Sequence, residues 1–311
     1  MATDFLDWAL ADFSGSVAAD ALYDGPFCML SAVDNRCYKR ILYDVLDHDP
    51  THEDSRAFLG RLNTALEARG LTLLGVTTDG SSLYPTPLAE IFDQVPHQVC
   101  EFHVLAEIVK AVVGAVASER KCLGAKQPTL PRGRPRTKAA QQAARKKKRL
   151  EQKRADLFTH RYLFVQHHLS QSERKTLWRI TRGLPQLRTL REIMEQVYTV
   201  FDRRCRTQTA LDKLAKLRRR VQRFRQLGET LKKLFAPTLE KALTFLDDTL
   251  LPSTSNAVER GNRRYRKMQK SVYRVRTQER IRARIALDMW REAQAQGRDQ
   301  TLQALHEARA G

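Results

Sequence analysis

The sequence has no uninterrupted apolar segment of the roughly 18 to 20 residues that a membrane-spanning helix requires. The N-terminus, with Asp4 and Asp7, lacks the basic and then apolar stretches of a signal peptide. Cysteine is scarce, since only five occur and none form a Cys-x-x-Cys pair. These absences argue against a membrane protein, a disulfide framework and a zinc ribbon, and they predict a soluble cytoplasmic protein.

Acidic residues are also few. The chain has 35 Asp and Glu and 55 Lys and Arg, which gives a formal net charge of +20. The excess of basic residues is unevenly distributed along the chain. Residues 1–100 contain 15 acidic and 6 basic side chains, a net of −9, and the rest of the chain has a net of +29. A basic surplus of this size predicts a polyanionic partner, since each neutralised phosphate releases counterions. A basic protein with no such partner is the alternative.

The first hundred residues combine short apolar segments, rich in β-branched and aromatic residues, with segments of helical spacing. The predicted strands are 17–23, 27–33, 38–46, 71–77 and 97–102. The first three are joined so tightly that they should form an antiparallel meander. Thr51 is expected to cap the helix that follows them, and the predicted order is βββαβαβα.

Beyond residue 120 the apolar spacing is helical and no strand is predicted. Eleven basic residues and one acid occur between Arg132 and Arg154, mostly on a long helix predicted at 137–169. The later helices are predicted at 171–182, 187–227, 237–247, 256–270 and 277–293. We therefore divide the chain into the first part of an α/β core (1–120), a basic all-helical insertion (121–250) and C-terminal helices that complete the core (251–311).

Three acidic residues stand out by position: Asp20 in the first strand, Asp79 directly after the fourth, and Glu259 near the start of a helix after the insertion. Carboxylates at strand ends of an α/β sheet lie where ligands bind. Their mutual repulsion requires a cation, usually Mg²⁺, and such a site suits two-metal phosphoryl transfer. Taken singly, each acid has a simpler explanation as a turn residue or a first-turn helix acid.

Five short sequence segments resemble those of a known protein family. They are Asp20-Ala-Leu-Tyr-Asp-Gly-Pro-Phe27, Leu30-Ser-Ala-Val-Asp34, Gly75-Val-Thr-Thr-Asp79-Gly-Ser81, Cys100-Glu-Phe-His103 and Ser255-Asn256-Ala-Val-Glu259-Arg-Gly-Asn262-Arg263. As a set, with the predicted element order, they resemble the DDE transposases of bacterial insertion sequences. The fourth segment is similar to their C/D-x-x-H signature and the fifth to their Asn-x-x-Glu-x-x-Asn block. The resemblance covers about residues 17–290.

The resemblance implies an α/β fold of the ribonuclease H-like kind, a mixed sheet interrupted by a large all-α insertion and closed by C-terminal helices. It implies that Asp20, Asp79 and Glu259 are catalytic and ligate two Mg²⁺ ions, for which Mn²⁺ can substitute. A water or a 3′-hydroxyl would attack the scissile phosphate during DNA cleavage and strand transfer. The expected partner is double-stranded DNA, bound by a homodimer in the nucleoid of a bacterial cytoplasm.

Two regions are predicted to contact DNA. In the insertion they are Arg132, Arg134, Arg136, Lys146, Lys147 and Lys148. The segment 131–136 resembles an AT-hook, which enters the minor groove, and a flexible basic loop on phosphates is the alternative. On the Glu259 helix they are Asn256, Asn262, Arg263 and Arg266. The two asparagines lie three residues on either side of Glu259, where they could orient it or touch the phosphate; Asn256 has a helix cap as its alternative.

Several other residues have both a functional and a purely structural explanation. Cys100 and His103 would order a strand-to-helix turn or approach DNA, because two ligands rarely make a zinc site. Turn chemistry explains Asp34, and a solvated acidic turn is favoured over a metal cluster for residues 44–53. Core packing is favoured over base stacking for Trp178.

Two other functions stay open: a catalytically inactive or truncated transposase-derived DNA-binding protein, and a metal-dependent nuclease of the same fold. Only 19 residues precede Asp20, whereas such transposases usually carry an N-terminal zinc-binding or helix-turn-helix region that recognises the element ends. We therefore expect either a split or truncated transposase or an insertion that has taken over end recognition. Ala21, where many relatives have an acid, is a smaller departure and removes no presumed ligand.

Overall fold

A computed structural model describes residues 3–130, 132–222, 231–248, 251–270 and 274–294. The chain divides into two compact units. The core unit comprises residues 1–101 and 247–311, and the insertion unit comprises residues 102–246. The first boundary lies earlier than residue 120 because the helix that enters the insertion begins directly after the fifth strand, at Glu101.

A five-stranded mixed sheet forms the centre of the core unit. Its strands are β1 (Ser16–Asp24), β2 (Phe27–Asp34), β3 (Arg40–Leu46), β4 (Gly75–Thr78) and β5 (His97–Val99). They lie in the order β3-β2-β1-β4-β5, with β1 to β3 antiparallel and β1, β4 and β5 parallel. The predicted meander is confirmed, and after a first helix the elements follow in the predicted order, an arrangement compatible with a ribonuclease H-like fold. The predicted strands 71–77 and 97–102 are too long, because β4 begins only at Gly75 and residues 101–102 already belong to a helix.

The helices of the described residues are α1 (Thr3–Leu10), α2 (His52–Glu67), α3 (Pro85–Ile91), α4 (Glu101–Ala125), α5 (Lys138–Thr159), α6 (Gln171–Ile180), α7 (Pro185–Val200), α8 (Thr207–Gln222), α9 (Pro237–Lys241), α10 (Asn256–Gln269) and α11 (Gln278–Gln294). Helix α1 is not predicted from the sequence. Thr51 caps α2 as predicted, and with Asp54 it forms a capping box that satisfies two backbone donors.

The two faces of β1 are covered by different helices. Val17 and Ala19 pack with α2 on one face. On the other, Ala18 packs with the first turn of α10, and Leu22 packs with α10 and α11. Because side chains alternate along a strand, Asp20 belongs to the face covered by α10.

The insertion unit is helical in all its described elements, as predicted. Three helices differ in extent. The predicted helix 237–247 ends at Lys241 and is followed by a 3₁₀ turn, Thr244–Leu246. The predicted helix 137–169 ends at Thr159 and is followed by a 3₁₀ turn, Arg161–Phe164. The predicted helix 187–227 is divided into α7 and α8, and its last residues, 223–227, lie outside the described residues. Within the described chain, no helix is both long enough and apolar enough to cross a membrane.

Candidate active site

Asp20, on β1, and Asp79, directly after β4, each follow the last paired residue of two adjacent parallel strands. The parallel pairing of β1 with β4 ends at Ala19 opposite Thr78, and the next residue along each chain is the aspartate. Neighbouring strands lie about 4.8 Å apart, so the two acids project from adjacent backbone positions. Burial raises the pKa of Tyr84 well above its usual value, and the charges of Asp20 and Asp79 add to the shift. The negative charges of Asp20 and Asp79 are therefore both close enough to influence the Tyr84 hydroxyl.

Helix α10 provides a partner for Asp20. The Asn262 side-chain amide donates a hydrogen bond from Nδ2 to Asp20 Oδ2 at 2.5 Å, and both residues are buried. A buried carboxylate needs such donors, because it has lost its hydration. The sequence predicts that Asn262 orients Glu259 or contacts a phosphate. In the structure it holds Asp20.

Glu259 lies in the first turn of α10, one turn before Asn262. Its side chain is 31 % exposed, and Oε2 lies 3.7 Å from Nη1 of Arg266. Among the described residues, no three acidic, histidine or cysteine side chains come close enough together to hold a metal ion. The oxygen ligands of Asp20, Asp79 and Glu259 nevertheless suit Mg²⁺ in type, and the register of the first two fits a shared cation.

A polar cluster fixes the far end of α10 to β1. Asp24 Oδ2 accepts hydrogen bonds from the Tyr265 hydroxyl at 2.8 Å and from Gln269 Nε2 at 2.7 Å, and Arg274 lies 3.1 Å from Oδ1. Burial, followed by this bond to Asp24, raises the pKa of Tyr265, so the hydroxyl stays a donor. No sequence pattern marks Tyr265 or Gln269 for this role, although Asp24 lies within the first of the five segments that resemble the transposases.

Cys100 connects the end of β5 to the start of α10. Its buried thiol accepts a hydrogen bond from the Ser255 N–H at 3.3 Å, and the Glu101 N–H donates to the Ser253 carbonyl at 2.8 Å. Ser255 is the N-cap residue of α10, so the alternative of Asn256 as helix cap is wrong. Asn256 is the first helical residue, and it is exposed.

His103 lies in the first turn of α4, where its ring meets Phe102 edge-on at 5.7 Å between centroids. Asp34 accepts hydrogen bonds from the backbone N–H groups of Ser14, Arg36 and Cys37, which confirms its role in a turn. In the acidic segment, His48 contacts Asp47 at 3.1 Å and Asp54 at 3.2 Å.

The predicted DNA contacts are distributed over both units. Most of the side chains are exposed: Arg132, Arg134, Arg136, Lys146, Lys148, Asn256, Arg263 and Arg266. Lys147 is half-buried and Asn262 buried. Pro131, the first residue of the predicted AT-hook, lies outside the described residues.

The prediction of core packing for Trp178 is wrong. Its side chain is 62 % exposed, and the Arg188 guanidinium lies 5.3 Å from its ring centroid. Helix α6 instead buries Leu177 and Ile180, so Trp178 falls on its outer face.

Fold and site together define an α/β protein, interrupted by a helical insertion, with one aspartate on β1, a second directly after β4 and a glutamate on the helix that packs against β1. A sequence profile described as transposase, that of the ISL3 group of DDE transposases, matches residues 33–285. The chain belongs to this family of insertion-sequence transposases, as the resemblance predicted. The matched range includes Asp79 and Glu259 and begins after Asp20. Neither the curated proteins nor the solved structures gave a match.

Proposed function

We propose that the protein is a DDE-type transposase that cleaves DNA and transfers its strands with the help of divalent metal ions, Mg²⁺ or Mn²⁺. The proposed catalytic residues are Asp20, Asp79 and Glu259, on a ribonuclease H-like core. The observation that supports the proposal is that Asp20 and Asp79 each follow the last paired residue of two parallel neighbouring strands, while the helix that bears Glu259 packs against the first of these strands.

Each residue has a distinct part in the proposed site. Asp20 and Asp79 would hold the metal, and Asn262 limits rotation of the Asp20 carboxylate through its hydrogen bond. Glu259 would exchange its ion pair with Arg266 for the metal, and Arg266 would then pair with a DNA phosphate. A metal held by these residues would supply activation of the attacking oxygen and stabilisation of the leaving oxygen.

DNA would be held mainly by the basic residues of the insertion, because phosphate contacts dominate the affinity for duplex DNA. Arg132, Arg134, Arg136 and the lysines 146 to 148 are proposed for this role, together with Asn256 and Arg263 of α10. We propose a homodimer on double-stranded DNA, since two element ends must be joined, and a bacterial cytoplasmic, nucleoid-associated location.

The test is DNA nicking and strand joining by the protein in Mg²⁺ or Mn²⁺, compared with an Asp79→Asn variant. The asparagine can keep the bond that Asp79 Oδ1 accepts from the Ser81 N–H at 2.9 Å, so the fold should survive. Asp93→Asn removes an equal charge from an exposed site of the core unit and serves as the matched control.

We expect Asp79→Asn to lose at least roughly a hundredfold in cleavage rate, because a metal contributes several kcal/mol of transition-state stabilisation. Asp93→Asn should cleave like the parent protein. Equal cleavage by Asp79→Asn would contradict the assigned site. DNA binding without any cleavage by the parent would favour the inactive scaffold, and cleavage without strand joining would favour a nuclease.

A further inference from the structure

The insertion unit contains an open cavity of about 720 Å³ between α5, α6 and the turn after α6. Four basic residues line it, and one acid opposes them: Arg149 and Lys153 of α5, Arg179 of α6, Arg182 of the turn, and Asp156. None of the four belongs to the predicted DNA contacts. The cavity therefore joins two cations of the basic segment 132–154, Arg149 and Lys153, to two from α6 and the turn after it, Arg179 and Arg182.

The positive charge of this cavity is only partly compensated. Arg179 lies 3.0 Å from Asp156, which accounts for one cation. The Lys153 ammonium donates to the Arg182 carbonyl, which brings its charge beside the turn. The side chains of Arg149 and Arg182 have no hydrogen bond or ion pair with any residue that the structure describes.

Electrostatics of Lys153 show how closely the cations are gathered. Its pKa is lowered first by burial and then by the charge of Arg149, with a smaller contribution from Arg182, while Glu119 opposes these effects. Cations that depress one another's charged form are stabilised by a bound anion. The cavity thus has the electrostatics of an anion site.

Gln152, whose amide donates to Asp156 at 3.0 Å, and Gly183 also line the cavity, and the other lining residues are apolar. Leu123, Ile180 and Leu184 are buried, and Leu150 is half-buried. A site for a free inorganic anion gains nothing from such a surface. A sugar–phosphate unit matches both parts, because its phosphate is anionic and the carbon edge of its deoxyribose is apolar.

We propose that this cavity binds a sugar–phosphate segment of the DNA backbone, with the phosphate between Arg149, Lys153 and Arg182 and the deoxyribose against the leucines. Arginine suits this role because its planar guanidinium binds phosphate oxygens in pairs. The proposal rests on the proposed function for its choice of DNA as the partner, and it names a contact that the basic segment 132–148 does not include.

The test compares two double variants of the full chain. Arg149→Gln/Arg182→Gln removes the two cations whose side chains have no described partner, so folding should be unaffected; circular dichroism and a thermal melt check this. The matched control, Arg174→Gln/Lys175→Gln, removes two exposed charges of α6 that do not line the cavity. Affinity for a fluorescent duplex is measured by anisotropy over a range of salt concentrations.

Each phosphate neutralised on duplex DNA contributes about 0.9 to the slope of log K against log salt. We expect the cavity variant to lose about one unit of slope more than the control. Equal slopes for the two variants would overturn the proposal. If the parent protein binds no DNA even at low salt, the proposed function itself fails, and the two failures are therefore distinguishable.

A second arm separates DNA from free anions. The parent protein and the cavity variant are titrated with inorganic phosphate and with a deoxynucleoside monophosphate in a calorimeter. Weak or absent binding of both, together with the loss of slope on DNA, supports a backbone site. Tight binding of inorganic phosphate that the cavity variant abolishes, together with equal slopes on DNA, would instead assign the cavity to a free anion and overturn the proposal.

Discussion

Arg40 should stabilise the core unit far more than Arg264 does, although the two arginines share the same partners. Arg40, on β3, lies 2.6 Å from Asp288 and 2.9 Å from Glu292 of α11, and its side chain is only 10 % exposed. Arg264, on α10, lies 2.8 Å and 3.2 Å from the same carboxylates but is 46 % exposed. Substitution by glutamine at each position thus isolates the effect of burial.

The magnitudes follow from that difference. Removing one partner of a buried ion pair costs about 3 to 5 kcal/mol, because the other charge is left buried and uncompensated. Arg264 still neutralises Asp288 and Glu292 in part, so we expect the free energy of unfolding to fall by about 2 to 3 kcal/mol in Arg40→Gln. Arg264→Gln should cost less than about 1 kcal/mol, as exposed pairs do.

Urea unfolding monitored by tryptophan fluorescence measures both effects. Trp8 and Trp290 belong to the core unit and Trp178 to the insertion unit, so a Trp178→Phe background reports on the core unit alone. Added salt should diminish the effect of Arg264→Gln more than that of Arg40→Gln, because exposed charges are screened. Equal losses of stability in the two variants would refute the reasoning from burial.

Two further predictions concern single side chains. Asn262→Ala should lower the free energy of unfolding by about 1.5 to 3 kcal/mol, the value of a hydrogen bond to a charged group, and it should slow DNA nicking; unchanged urea unfolding would show that its bond to Asp20 contributes nothing. Among the cysteines, exposed Cys122 should react first with iodoacetamide at pH 8, followed by mass spectrometry. Burial raises the pKa of Cys28 to about 12 and of Cys37 to about 11, so both stay protonated thiols at that pH, and equally fast modification of Cys28 would contradict this.

The sheet, and the positions of Asp20 and Asp79 relative to its strands, could be anticipated from the sequence because their causes are local. Turn residues such as Gly25 separate the strands of the meander, and a helix between β3 and β4 allows a parallel return to β1. Once β1 and β4 are neighbours and parallel, each aspartate is the residue that follows the last paired one, Ala19 on β1 or Thr78 on β4.

The contacts that hold the site could not be anticipated, because they join residues distant in sequence. Asn262 reaches Asp20 across 242 residues, and Ser255 reaches Cys100 across 155. The helical spacing around Glu259 indicates that Asn262 shares its face, but a helical face does not specify which strand lies beneath it. Trp178 shows the same limit, since an aromatic residue on an amphipathic helix is buried only where a neighbouring element covers it.

The insertion is tolerated because the core unit closes its own chain. A flexible connection of 145 residues, the length of the insertion unit, costs only about 2 kcal/mol more to close than one of ten residues. The contacts of Asp20, Asp24, Arg40 and Cys100 with the returning segment of the core unit are all internal to that unit. Apolar packing of α10 and α11 against the sheet adds to these contacts, so the core unit can hold its returning segment across the insertion, which leaves the insertion free to diverge in the DNA contacts proposed for it.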